Sequence, residues 1–262
     1  MLFSGLLVLI GQKKKGLTRK CKLLQWGVEI DSKLLPSGFD TTKVEWFLRF
    51  LAENNERGGF FSKGDSDRIW TRHVLESARF VAEVQNYVSV SRETTVLDAG
   101  SGPGLPGFLF TCLQRPPRLT LNDSSKRRLG LLEQAVAEYD SRSEANDFPN
   151  VEFHYGRLEE MKGRFGVITS RALIPFPSVL RLICHLQRPG DLYCGFFNAT
   201  DYSHFASQIS DCGYSLPEVR PLQSPEGAVR EIAFFRKEKV VRHGKPFAWK
   251  FIRSEMSQWQ KS

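Results

Sequence analysis

The sequence predicts an α/β fold in which parallel strands carry helices on both faces, and two observations support this. From Thr94 onward, apolar strand-like runs alternate with amphipathic helical segments, an alternation that is typical of parallel sheets. The first run ends in a glycine-rich turn, Gly100–Gly107, and nucleotide-binding α/β folds have such a turn at this place. The predicted strands cover 94–98, 118–122, 151–155, 165–169, 190–197 and 229–235.

Helical periodicity predicts the remaining elements. Asp40 or Thr41 is expected to cap a first helix, and Thr42 with Glu45 also fits a capping box. Apolar residues follow at helical spacing. Further helices are predicted over 66–85, from Ser124 onward, over 176–186 and over 202–210. After Phe235 the periodicity ends, and the sequence predicts an irregular basic tail.

The net charge of +8 is concentrated at the two ends of the chain. Residues 1–28 hold six Lys and Arg and no acid, and residues 236–262 hold eight Lys and Arg with two acids. Two basic ends on a slightly acidic body indicate contact with a polyanion, and the alternative is solvated termini. The acid-free start also suggests mitochondrial targeting. An ordinary basic arm on a cytoplasmic protein is the other interpretation.

The cysteines and the hydropathy exclude several classes of protein. None of the five cysteines forms a CxxC pair, which argues against a disulfide framework and against a zinc site. No stretch of the sequence approaches the roughly 20 apolar residues of a membrane-spanning helix. We therefore expect no metal and no membrane partner.

The glycine-rich turn carries the main functional signal. Gly102, Gly104 and Gly107 fit the G-x-G-x-x-G pattern, which is weak evidence when it stands alone. Asp123 follows Gly104 by nineteen residues, at the end of the second strand. That is where such folds present a carboxylate to a ribose. The spacing predicts a nucleoside-containing cofactor, and a purely structural turn is the alternative.

Two details favour S-adenosylmethionine over NAD. Asp98 lies two residues before Gly100, where its carboxylate can face an ammonium group and would repel a pyrophosphate. Pro106 lacks an N–H and so removes a donor from a helix start that a pyrophosphate would use. An NAD-dependent oxidoreductase remains the weaker alternative.

Several segments together resemble the RsmG (GidB) family of small-subunit ribosomal RNA guanine-N7 methyltransferases. The resemblance begins with Asp98–Gly107, which is followed by Asp-Ser-Ser-Lys-Arg at 123–127. Three further segments agree with family motifs: Arg-His-Val-Leu-Glu-Ser at 72–77, Arg-Leu-Glu-Glu at 157–160, and Ser-Arg-Ala at 170–172.

The resemblance covers residues 68–236 and implies a Rossmann-like class I SAM-dependent methyltransferase with a small helical N-terminal extension. We therefore divide the chain into four segments. These are a basic N-terminal arm at 1–39, a helical unit at 40–90, the methyltransferase domain at 91–236, and a basic C-terminal tail at 237–262.

The resemblance also implies roles for individual residues. S-adenosylmethionine would be held by Asp98, Gly100, Gly102, Gly104, Asp123, Leu158 and Glu159. Arg171 would be catalytic, beside the transferred methyl group and the target base. Lys126, Arg127 and Arg230 would bind RNA, and the partner would be ribosomal RNA, the small subunit or a pre-ribosomal particle.

The chain departs from the family pattern on the substrate side. Gly-Phe-Phe-Asn at 195–198 stands where the family has an Ala-Leu-Lys-Gly-like strand end, so Asn198 replaces an expected lysine. The segment after Asp123 is one residue shorter than the family motif. These departures leave two hypotheses open, an active methyltransferase and a catalytically inactive assembly factor of the small ribosomal subunit.

Overall fold

The computed structural model describes residues 30–143, 147–224, 227 and 229–259. They form a seven-stranded sheet in the order β3-β2-β1-β4-β5-β7-β6. The strands are β1 (Thr95–Ala99), β2 (Arg118–Asp123), β3 (Val151–Tyr155), β4 (Val167–Arg171), β5 (Leu192–Phe197), β6 (Glu218–Gln223) and β7 (Val229–Arg236). The α/β prediction is confirmed, and all six predicted strands are present.

The sheet is mixed, which corrects the prediction of parallel strands throughout. Strands β1 to β5 are parallel, whereas β7 is antiparallel to both β5 and β6. The additional strand, β6, lies at the edge of the sheet and buries only Leu222. Pro221 interrupts it, as edge strands tolerate. An exposed strand of this kind has no clear alternation of apolar and polar residues.

The helices are α1 (Thr41–Gly58), α2 (Glu76–Tyr87), α3 (Lys126–Asp140), α4 (Ser178–Ile183), α5 (Ala206–Asp211) and α6 (Trp249–Trp259). Asp40 caps α1 as predicted, because its carboxylate accepts a hydrogen bond of 2.9 Å from the Thr42 N–H. Helix α1 buries Val44, Phe47, Leu48 and Leu51 in a core cluster that includes residues of β1 and β2. A second cluster contains residues of α4, α5 and α6.

The helix predicted over 66–85 has two geometries. A π-helical segment, Ile69–Leu75, runs directly into α2. Within it, the Arg72 carbonyl accepts a hydrogen bond of 3.3 Å from the Arg171 guanidinium. Such π-helical turns occur frequently at functional sites, and this one places α2 against the end of β4.

The structure also corrects the predicted irregular C-terminal tail, because α6 forms within it. Ile252 is fully buried, and Glu255 is 8% exposed. The Glu255 carboxylate accepts hydrogen bonds from Ser178 Oγ (2.9 Å) and Arg181 Nε (3.2 Å), both on α4. The inner face of α6 is therefore partly charged, which hides its amphipathic pattern in the sequence.

Most of the predicted N-terminal arm, residues 1–29, lies outside the described residues. Among the described residues, no helix combines the length and the apolar character that are required to cross a membrane.

Candidate functional site

The carboxyl ends of the parallel strands place the functional side chains at one edge of the sheet. Asp98 on β1 lies in register with Leu121 on β2 and Thr169 on β4. Asp123 and Arg171 end those two neighbouring strands. The glycine-rich turn leaves β1 at the same edge, so strand register brings turn, acid and arginine together.

Two carboxylates hold the glycine-rich turn. The Gly102 N–H donates a hydrogen bond of 2.8 Å to Asp123 Oδ2. The Gly107 N–H donates one of 3.0 Å to Asp98 Oδ2. Asp123 Oδ1 also accepts from the Ser125 N–H at 2.7 Å, just before α3. The turn is thus tied to β1 and to the loop that follows β2.

Asp98 lies beneath the turn rather than at its surface. Its side chain is fully buried, and Oδ1 accepts a hydrogen bond of 2.8 Å from Thr169 Oγ1. Burial raises the pKa of Asp98 to about 6, although the hydrogen bonds from Thr169 and Gly107 oppose the shift. Both carboxylate oxygens are occupied in this arrangement. Asp98 therefore shapes the turn from within, and its contact with a methionine ammonium stays a prediction.

One glycine of the turn opens onto free space. A Cβ added at Gly102, where φ is +56°, would meet no atom within 4 Å. By contrast, a Cβ at Gly100 would meet Leu173, at Gly104 it would meet Leu132, and at Gly107 it would meet Asp98, all within 2.6 Å. The turn thus leaves room for a ligand over Gly102, beside the Asp123 carboxylate. This arrangement fits the nucleoside and methionine parts of S-adenosylmethionine.

The predicted adenine side of the site follows β3. The Asn122 side-chain amide donates to the His154 carbonyl (3.3 Å) and the Gly156 carbonyl (3.1 Å), which ties β2 to the end of β3. Leu158 is buried in the next turn, and the Arg157 guanidinium pairs with the Glu159 carboxylate at 3.3 Å. The structure therefore places Leu158 and Glu159 after the strand adjacent to Asp123, and their contact with adenine stays a prediction.

Arg171 is held in one orientation at the end of β4. Its guanidinium donates to Glu76 Oε2 (2.7 Å) and Ser77 Oγ (3.0 Å), and it lies 5.2 Å from the centre of the Phe196 ring. Its side chain retains 19% exposure. Burial lowers the pKa of Arg171, and the Glu76 carboxylate opposes that shift. The result is a fixed, partly exposed cation at the edge where the turn lies.

Arg230, from β7, joins Arg171 through the same acid. Its Nε lies 4.0 Å from Glu76 Oε1, and its Nη1 donates to Asn198 Oδ1. Asn198, which replaces an expected lysine, thus orients a neighbouring arginine. In the sequence, Glu76 is distinguished only as part of a family segment, because its carboxylate gains a role only through Arg171, 95 residues away.

Lys126 and Arg127, the other predicted RNA-binding residues, are exposed at the start of α3, directly after the Asp123 loop. Their contact with RNA stays a prediction. Thr169, the partner of Asp98, gives no signal in the sequence because it is one small residue in a buried strand. Within the described part of the chain, no cluster of three or more His, Cys, Asp or Glu could hold a metal ion.

Comparison with known proteins places this site in a family. The profile of the GidB family, described as rRNA small subunit methyltransferase G, matches residues 40–201. A protein named ribosomal RNA small subunit methyltransferase G from Leptospira biflexa is 39% identical over 226 residues, which are 85% of this chain and 90% of that protein. One of the same name from Leptospira interrogans is 38% identical, covering 84% and 85%.

A more distant relative of the same name, from Nocardioides sp., is 31% identical and covers 72% of this chain and 73% of that protein. These matches agree with two expectations from the sequence, the Rossmann-like methyltransferase fold and the use of S-adenosylmethionine. The chain with this glycine-rich turn and its Arg171–Glu76 pair therefore belongs to the GidB family, rRNA small subunit methyltransferase G.

Proposed function

We propose that this chain transfers a methyl group from S-adenosylmethionine to N7 of a guanine in small-subunit ribosomal RNA. The observation that carries the proposal is the position of Arg171. Its guanidinium stands at the end of β4, the strand next to the glycine-rich turn, and a buried acid fixes its direction. A planar cation in that place can grip a guanine edge or a phosphate with directional hydrogen bonds.

The chemistry at N7 asks little of the protein beyond alignment. N7 carries a lone pair and no proton, so the transfer requires no general base. His73, on the π-helical segment beside Arg171, fits this view because burial lowers its pKa to about 4 and keeps the ring neutral. When bound, S-adenosylmethionine supplies a methyl group activated by the sulfonium. Alignment of reactants can lower a barrier by up to about 7–11 kcal/mol.

The residues of the chain divide this work. The free space over Gly102 would receive the cofactor, and the Asp123 carboxylate would accept hydrogen bonds from its ribose. Arg171 would orient the base, and Glu76 would hold Arg171. Lys126, Arg127 and Arg230 would contact RNA phosphates, since a splayed base needs its backbone fixed on both sides.

The test is methyl transfer with labelled cofactor to three substrates: naked small-subunit RNA, mature small subunits and pre-ribosomal particles. We expect one labelled 7-methylguanosine, which nuclease mapping would place in the RNA. Arg171→Gln should abolish the label while retaining affinity for S-adenosylhomocysteine. The matched control is Arg118→Gln, an exposed arginine in a surface ion pair with Glu93.

A second experiment separates the alternatives. Ribosomal RNA from cells with and without the chain would be compared by reductive cleavage at 7-methylguanosine. Loss of one site without the chain supports the enzyme. An unchanged map with stalled small subunits would overturn methylation and favour the inactive assembly factor. In calorimetry, binding of NAD without binding of S-adenosylhomocysteine would overturn the methyltransferase and favour an NAD-dependent oxidoreductase.

We also propose that residues 1–39 direct the chain to a mitochondrion. The support is the acid-free, basic composition of residues 1–28. A fusion of residues 1–39 to a fluorescent protein should enter mitochondria, and its Lys13→Gln, Lys14→Gln, Lys15→Gln variant should not. Uniform cytoplasmic fluorescence of the unaltered fusion would contradict the proposal.

A further inference from the structure

We propose that the outward face of α6 is a second RNA-binding surface, which contacts the phosphate backbone of the substrate RNA beside the cofactor site. This inference rests on the proposed function, because it assumes that the substrate is RNA. The family profile matches residues 40–201, and α6 follows that range in the sequence.

The first step is that α6 is a rigid element of the fold. Ile252 is fully buried, and the Glu255 carboxylate receives hydrogen bonds from Ser178 and Arg181 of α4. The Arg181 guanidinium also lies 4.9 Å from the centre of the Phe247 ring and 5.6 Å from that of Phe251. A helix anchored by a buried ion pair and aromatic contacts presents its other face in a fixed direction.

The second step is the charge of that outward face. Lys250, Arg253, Ser254 and Ser257 are exposed and, with Trp249, line a groove of about 490 Å³. Glu255 is the one acid in the α6 sequence, and its side chain is turned inward. In the described part of the chain, neither Lys250 nor Arg253 forms an ion pair. The groove therefore combines cations with hydroxyl groups, a combination that fits phosphate oxygens.

The third step connects the groove with the cofactor site. Trp249, at the start of α6, has its ring centre 5.8 Å from the Arg157 guanidinium. Arg157 in turn pairs with Glu159, a predicted adenine-binding residue. RNA lying along α6 would thus reach the edge of the sheet where Arg171 and Asp123 stand.

The combination of charges with an aromatic ring favours RNA over an acidic protein as the occupant. Surfaces that bind single-stranded nucleic acid place basic side chains along the backbone and offer aromatic rings to the bases. Trp249 lines the groove and is half-buried, so its ring retains surface for contact. An acidic protein segment would use the two cations but would leave the exposed part of the Trp249 ring without a partner.

The experiment measures how the affinity of the full chain for protein-free small-subunit RNA depends on salt concentration. In Lys250→Gln/Arg253→Gln, two phosphate contacts are removed. The slope of log K against log salt should therefore become shallower by about 1.4 to 1.8. The matched control is Arg92→Gln/Arg115→Gln, which removes two exposed cations that precede β1 and β2. They lie at the amino ends of these strands, whereas the candidate site lies at the carboxyl ends, so the slope should stay unchanged.

A second pair of variants tests stacking. Trp249→Ala should weaken RNA binding by about 5- to 150-fold, as loss of one stacked base does, whereas Trp249→Phe should restore most of the affinity. Circular dichroism and the melting temperature show that each variant is folded. S-adenosylhomocysteine affinity should be unchanged in Lys250→Gln/Arg253→Gln.

The outcomes distinguish this inference from the function on which it rests. If the unaltered chain methylates RNA and the α6 variants bind RNA like the control, the α6 surface is refuted and the function stands. If the α6 variants lose affinity for whole subunits but not for protein-free RNA, the occupant is a protein and the inference is wrong. If the unaltered chain neither binds RNA nor methylates it, the inference about α6 and the proposed function are both wrong.

Discussion

Glu76, which is almost completely buried, receives a hydrogen bond of 2.7 Å from Arg171, and this pair connects α2 to the end of β4. Its other carboxylate oxygen faces Arg230 at 4.0 Å. One acid therefore balances two guanidinium groups at the proposed substrate edge. Removal of one partner of a buried ion pair leaves an uncompensated charge, which is costly.

Glu76→Gln should lower the free energy of unfolding by about 3 kcal/mol, because the amide keeps the shape but cannot neutralise the arginines. Urea unfolding measures the change. The control is Glu93→Gln, whose pair with Arg118 has 82% and 63% exposed side chains and should matter little. Equal stability of both variants would show that the pair of Glu76 with Arg171 contributes no more to the free energy of unfolding than the exposed pair of Glu93 with Arg118.

Asp123→Ala should weaken the binding of S-adenosylhomocysteine about 10- to 100-fold, because it removes charge-assisted hydrogen bonds to the ribose. The variant also removes the acceptor of the Gly102 N–H, so the turn itself loosens. Isothermal titration calorimetry gives the affinity. Asp67→Ala, an exposed acid outside the site, should bind like the unaltered chain. Unchanged affinity in Asp123→Ala would contradict the assignment.

Gly102→Ala should reduce cofactor affinity more than 10-fold while the chain still folds. The new methyl group meets no protein atom, so it occupies the space that the ligand needs. The positive φ adds about 1–2 kcal/mol of backbone strain. Gly190→Ala is the matched control, since it also has a positive φ and open space but lies in an exposed turn. If both variants bind alike, the space over Gly102 is not the cofactor site.

The parts of the fold that the sequence predicts well are those with local signals. The five parallel strands show as apolar runs, and the turn shows as glycines because backbone of positive φ occurs at Gly100, Gly102 and Gly104. Strand β6 escaped prediction because it is an exposed edge strand interrupted by Pro221. Helix α6 escaped because Glu255 occupies an inward position that a pattern search expects to be apolar.

In the candidate site, too, the residues with local sequence signals could be predicted and their distant partners could not. Asp98 and Asp123 follow from spacing along the chain, since both belong to the first βαβ unit. The partners that give the acids and arginines their geometry are distant in sequence: Thr169 is 71 residues from Asp98, and Glu76 is 95 from Arg171. A single sequence does not show which residues that are distant along the chain come into contact in the fold. Even the burial of Asp98, which changes its role, depends on the close approach of Gly107.

The raised pKa of Asp98 should make stability depend on pH between about 4 and 6. Burial raises the pKa of this carboxyl group from 3.8 to about 6. Between these values the native state keeps the proton and the unfolded chain releases it. The contribution of Asp98 is thus fully present below pH 4 and is lost as pH rises through 6.

Asp98→Asn removes this titration while keeping a side chain of similar shape. The free energy of unfolding of the unaltered chain minus that of Asp98→Asn should therefore fall by about 2 kcal/mol between pH 4 and pH 7. Urea unfolding at half-unit steps of pH measures it. His73, whose pKa is lowered to about 4, titrates with the opposite sign, but it does so in both proteins and cancels in the difference. A difference that stays constant with pH would mean that the Asp98 carboxyl titrates in the native state as it does in the unfolded chain.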